Sequence, residues 1–167
     1  MSDNKPITLD NDVYEEMTRA IWALFYQYGE IIGQEIYFEK LSADSGYAFE
    51  AAGGAEVITR KQTVTGKIID SCQYPVVFIR RTASTSEKQK LDVQTFLDTL
   101  GKWICMEEVE INKKIYRLKE YPKLTRGRTI TEIRRYNSSS QEANENGVQD
   151  WGLPLYIYYT HEYCKNK

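Results

Sequence analysis

The stretch from Leu153 to Tyr163 limits the fold more than any other part of the chain. Leu155, Ile157, Tyr159 and His161 alternate there with Tyr156, Tyr158 and Thr160. A period of two places successive side chains on opposite faces of an extended backbone, so the spacing predicts a long terminal strand.

Two other stretches carry the helical period. Val13, Met17, Ile21, Leu24, Phe25 and Tyr28 recur at intervals of three and four, which predicts a helix over residues 12–28 with one apolar stripe. Asp12 and Glu15 have N-cap spacing, and Gly29 offers a stop. The second helix opens after residues 84–86, where Ser86 and Gln89 fit a capping box and Val93, Phe96, Leu97, Leu100 and Ile104 form the stripe.

The remaining segments read as strands and connections. Residues 35–41 are short, β-prone and flanked by turn-forming residues. Tyr47 to Gly54, rich in alanine and glycine, has no period and reads as a loop. Val57 to Ile69 and Tyr74 to Arg81 read as two strands joined by a hairpin at Asp70 to Gln73, with Pro75 at an edge or an irregular position. Residues 107–122 read as a charged, frayed helix end and a connection, Arg128 to Tyr136 as a strand, and Asn137 to Gly147 as a polar loop. Helices and strands follow one another without a βαβ rhythm. The expected class is therefore α+β, with two helices packed on a mostly antiparallel sheet. A length of 167 residues suits a single domain, here over residues 11–167 after a polar arm at 1–10.

Motifs for catalysis or cofactors are missing from this reading. His161 is the one histidine, and it falls in a tyrosine-rich strand, where a half-buried structural role is the expectation. Cys72, Cys105 and Cys164 have no CxxC spacing, and neither Cys72 nor Cys105 is flanked by a pattern that would lower a thiol pKa, so structural thiols and no metal are expected. The Gly53-Gly54 pair lacks the spacing and the lysine of a phosphate loop. Glu107, Glu108 and Glu110 do not match a calcium-loop pattern. The expectation is a protein that is not an enzyme and holds no cofactor. No run of 18 apolar residues spans a bilayer, and the start MSDNKPITLD lacks the pattern of a signal peptide, so no membrane partner is expected and synthesis is placed in the cytoplasm.

Interaction surfaces are what remain. The thirteen tyrosines suit half-buried strands or subunit interfaces. A formal charge of −2 does not suggest a polyanion binder. Arg126, Arg128, Arg134 and Arg135, with Lys123, Arg80 and Arg81 nearby, form a candidate basic face. Two readings of it stay open: contact with phosphates, or a solvated strand face with salt-bridged subunit contacts.

Three stretches carry a resemblance to a known family: LDVQTFLDTLGKWI (Leu91 to Ile104), YPKLTRGRTITEIRR (Tyr121 to Arg135) and GVQDWGLPLYIYYTHEY (Gly147 to Tyr163). With the N-terminal helix, the strand from Ile36 to Leu41 and the run VVFIRR, the chain resembles the tail terminator (tail completion) proteins of Gram-positive phages and prophages, often labelled minor capsid proteins. The resemblance implies a small α+β subunit that assembles as a hexameric ring on the head-proximal end of the tail tube. It further implies a place in the virion, with the tail tube protein and neck or connector proteins as partners and no sequence-specific contact with nucleic acid. A neck or head-completion protein is the alternative within the same reading, and a DNA-contacting module is a third. Trp151, Tyr156, Tyr158 and Tyr163 are the expected interface residues, Trp151 in the loop before the last strand and Tyr163 exposed at its end. Trp103 is expected in the core.

Overall fold

The computed structural model describes residues 13–33, 36, 46–83, 86–140, 144–145 and 147–164. The expected arm at residues 1–10 lies outside them, as does the expected strand at 35–41 apart from the buried Ile36.

Helix α1 (Tyr14–Ile32) buries Met17, Ile21, Leu24, Phe25 and Tyr28, the stripe expected from their spacing. It runs past Gly29, the expected stop, because Ile31 and Ile32 extend the stripe against the core. Gly33 ends it, with φ 68 and its N–H bonded back to the Glu30 carbonyl. Glycine takes that left-handed conformation without a Cβ clash. Asp12 lies outside the described residues, and no side chain caps the start of the helix among them.

Helix α2 (Glu87–Ile104) opens with the capping box expected of it. The Ser86 hydroxyl accepts the Gln89 N–H at 3.2 Å, and the Gln89 side chain accepts the Ser86 N–H at 3.3 Å. Its buried face holds Val93, Leu97, Leu100, Trp103 and Ile104.

The strands of the main sheet are β1 (Gly46–Ala51), β2 (Glu56–Gln62), β3 (Lys67–Ala83), β6 (Arg128–Arg135), β7 (Ser139–Ser140) and β8 (Val148–Cys164). A separate small hairpin joins β4 (Val109–Ile111) to β5 (Lys114–Tyr116), so part of the stretch expected as a connection is paired. In the main sheet β3 and β8 lie antiparallel along their whole lengths, from Lys67 opposite Cys164 to Ala83 opposite Val148. The outer side of β3 is shared by β1 and β2, and the outer side of β8 by β6 and β7. The fold is thus α+β, with two helices and a mostly antiparallel sheet among the described residues.

Two expectations for this region are corrected. Residues 46–51 are strand β1, although they were expected to form a loop; Tyr47 and Phe49 pack against the core and supply the apolar contact that the alanines lack. The hairpin turn lies at 63–66 and not at Asp70 to Gln73. There the Gly66 N–H bonds the Thr63 carbonyl, and the Thr63 hydroxyl accepts the Lys67 N–H. The stretch 70–73 continues β3, because Asp70 and Cys72 sit in the same alternating row of buried residues as Tyr74, Val76 and Phe78.

Each long strand carries one proline, and each proline marks where a flanking strand stops. The Pro75 carbonyl accepts the Ala52 N–H just beyond the end of β1, and the Pro154 carbonyl accepts the Tyr136 N–H just beyond the end of β6. A proline has no N–H to return, so pairing on that side ends there.

Both helices cover one face of the sheet. Phe25 of α1 stacks on Phe78 of β3 with centroids 4.9 Å apart, and Tyr28 lies 5.3 Å from Trp103 of α2. Leu153, Leu155, Ile157 and Tyr159 of β8 and Ile130 and Ile133 of β6 complete this core.

Candidate functional site

The other face of the sheet has no element over it among the described residues. On β8 the residues that alternate with the buried ones are Gly152, Pro154, Tyr156 and Tyr158, all half-buried; on β3 they are Pro75, Val77 and Ile79. These pair across the central ladder, Pro75 with Tyr156 and Val77 with Pro154. Ion pairs bound this apolar area. Arg81 meets Asp150 through two parallel bonds of 2.7 and 2.9 Å, and Lys67 meets Glu162 at 2.9 Å. The Arg81 guanidinium also holds the Asp150 carboxyl below its usual range. An apolar, tyrosine-bearing centre with a charged rim is the anatomy of a protein-binding surface.

The four expected interface residues separate. Tyr156 and Tyr158 stand on the open face, Tyr156 in edge contact with Tyr136 at 5.0 Å and Tyr158 under the Arg134 guanidinium at 5.0 Å. Trp151 does not lie in a loop. It belongs to β8, on the side of the buried alternating residues, and is 6% exposed. Tyr163 is half-buried, and its hydroxyl donates to Asp70 at 3.0 Å. The alternation that marked these residues also divides them: odd positions of β8 face the helices and even positions face outward.

The expected basic face is not formed. Arg128, 3% exposed, points to the helix side and meets Glu16 of α1 at 3.3 Å. Arg134, on the opposite face, pairs with Glu132, while Arg135 pairs with Asp98 of α2 and with Glu107. A bulge between Ile130 and Glu132 shifts the register of β6, which lets Arg128 and Arg135 both lie on the helix side. Of the four, only Arg126 is both exposed and without an ion pair among the described residues.

At one end of the helix side, a polar row crosses four strands: Arg60, Asp70, His161 and Arg128 lie in register. Asp70, 2% exposed, accepts two bonds from Arg60 at 2.7 and 3.0 Å and one from Tyr163. His161 lies 4.8 Å from the Tyr163 ring. The carboxylate is thereby committed to structural partners. The arrangement does what a buried charge requires, which is to replace water with hydrogen bonds.

On one side the sheet ends at β6. Near it the Tyr121 hydroxyl donates to the Ile104 carbonyl at 2.9 Å. Burial pushes the Tyr121 hydroxyl up to about 12 and the Cys105 thiol up to about 11.

A third surface lies beyond this edge. Leu118, Tyr121 and Leu124 turn inward from the segment that follows β5, and Arg117, Lys119, Lys123 and Arg126 turn outward. Between this segment and α1 runs an open groove of about 910 Å³, lined by Gln27, Glu30, Trp103, Tyr116 and Tyr121 among others. The sequence reading had Lys123 and Arg126 and missed Arg117 and Lys119. A running count of charge over residues 113–126 would have found them.

Among the described residues no cluster of three or more His, Cys, Asp or Glu side chains is placed to hold a metal ion, and no helix is long and apolar enough to cross a membrane. No protein-family model matches the chain, and no curated protein matches it.

Proposed function

We propose that the chain is a structural subunit of a tailed-phage particle, a tail-terminator-like protein that assembles head to tail into a hexameric ring, caps the tail tube and joins it to the neck of the head. The observation that carries this reading is the open sheet face. Val77, Ile79, Pro154, Tyr156 and Tyr158 present an apolar area that no described element covers, and such an area calls for a protein partner.

The form of assembly follows from a second exposed area. A ring needs two different, complementary surfaces on each subunit, whereas a two-fold dimer needs one. On the far side of the molecule Tyr14, Trp22 and Tyr26 are exposed on α1, four or eight residues apart and so along one slanting helical stripe. The sheet face of one copy against the helical stripe of the next makes a heterologous contact. The resemblance in sequence plan gives the assembly its place in the particle.

Negative-stain imaging of the concentrated protein, with light scattering over a dilution series, tests the proposal. Closed rings of one size are expected. Monomers at every concentration, or open-ended stacks, argue against it.

A further inference from the structure

Residues 113–126 hold six cations, Lys113, Lys114, Arg117, Lys119, Lys123 and Arg126, against one carboxylate, Glu120. A segment of net +5 therefore sits in a chain of net −2, whose remainder carries −7. All six cations are exposed, and none makes an ion pair among the described residues. Of the arginines of β3 and β6 that the sequence had pointed to, Arg81, Arg128, Arg134 and Arg135 hold carboxylates and Arg80 lies over the Phe96 ring. We propose that this segment is a nucleic-acid contact, which grips the phosphate backbone of DNA without reading its sequence.

The backbone of the segment is fixed before any ligand arrives. Leu118 is buried, Tyr121 is bonded to Ile104, and Leu124 packs on the core. At its end the Thr125 N–H is taken by the Glu16 carboxylate, and the Arg128 N–H closes a turn on the Thr125 carbonyl. Arg126 heads that turn with φ 56, a left-handed conformation that a side chain rarely adopts. The inward anchors recur every third residue, with Lys119 and Lys123 exposed between them and Arg117 and Arg126 exposed on either side, Arg117 also donating to the Met106 carbonyl at 3.1 Å. Ordering them on a ligand then loses little backbone entropy.

The chemistry favours phosphate over an acidic protein surface. Protein interfaces keep an apolar centre inside a polar rim. The outward positions of this segment offer cations, the single carboxylate Glu120, Thr125 and, on β5, Ile115, and the apolar sheet face lies on the other side of the sheet. A cationic segment without an apolar centre matches a polyanion whose contacts are made by charge alone. This inference does not depend on the ring: a monomer with this segment binds DNA too.

The test is fluorescence anisotropy of a labelled 30-base-pair duplex of arbitrary sequence at increasing sodium chloride, with polyglutamate as competitor. Wild type is expected to bind with a log–log salt slope of about −4 to −5. A variant carrying Arg117→Gln, Lys119→Gln, Lys123→Gln and Arg126→Gln is expected to lose about four units of that slope and to bind at least ~100-fold more weakly near 0.1 M salt. Arg134→Gln, on the opposite face, is expected to bind as wild type does. Circular dichroism confirms that each variant is folded. Absence of wild-type binding at low salt overturns the proposal, as does binding that the quadruple variant retains. Displacement of the duplex by polyglutamate at equal charge concentration also overturns it, and assigns the segment to an acidic protein.

Discussion

The Glu16 carboxylate, in the first turn of α1, lies 3.3 Å from the guanidinium of Arg128 on β6 and also accepts the N–H of Thr125. One side chain thus ties the helix layer to both the sheet and the turn that ends the cationic segment. Glu16→Ala removes an ionised acceptor from two donors and is expected to destabilise the fold by about 2–3 kcal/mol. Glu16→Gln keeps an acceptor and is expected to cost about half as much. Urea titration of the two variants, read by the shift in midpoint at unchanged slope, checks the order.

Gly127 and Gly66 differ in what a side chain would meet. At Gly127, φ is 76 and a Cβ would sit 2.1 Å from the Glu162 carbonyl oxygen, whose own N–H bonds the Gly127 carbonyl at 2.9 Å. At Gly66, φ is 88 and nothing lies within 4 Å. Gly66→Ala is expected to cost about 1 kcal/mol, for backbone conformation alone. Gly127→Ala must also push β8 from the turn and is expected to cost at least ~3 kcal/mol. Thermal melts of the pair give the comparison, and equal losses would mean that the turn at 125–128 yields easily.

Burial raises Tyr28, Tyr74 and Tyr121 each to about 12 from an ordinary value of 10. The folded state keeps these protons after the unfolded chain has released them. Their contribution to stability is therefore whole below pH 10 and is lost as pH rises toward 12. Melting temperature is expected to hold up to pH 10 and then fall steeply. Absorbance at 295 nm should show these tyrosines ionising together with unfolding, after the exposed ones. Ionisation of all tyrosines near pH 10 with the fold intact would contradict the burial described.

The elements with a strong period were legible in the sequence. The stripe from Val13 to Tyr28, the Ser86–Gln89 capping box and the alternation from Leu155 to His161 each follow from local spacing, and local spacing sets local structure. The α+β arrangement of two helices on a mostly antiparallel sheet followed from the order of those elements. What local spacing does not carry is pairing. Tyr47 and Phe49 make a strand of an alanine-rich stretch only because β3 lies beside it, and Asp70 reads as a turn residue until Arg60 and Tyr163 are seen to hold it inside. The basic face failed for the same reason. Arg128, Arg134 and Arg135 are close in sequence, but a bulge and three carboxylate-bearing elements disperse them, while the exposed cations gather where no period drew notice.

The central claim, that the open sheet face drives assembly, is tested most directly by the solution mass of wild type beside Val77→Glu, measured by multi-angle light scattering over a concentration series. Val77 stands on the open face opposite Pro154, so a carboxylate there leaves the helix-side core untouched while placing a charge at the centre of the contact. Wild type is expected to pass from monomer to one closed species of ring size, and Val77→Glu to remain a folded monomer throughout. A wild type that stays monomeric at every concentration, or a Val77→Glu variant that assembles as wild type does, would contradict the account.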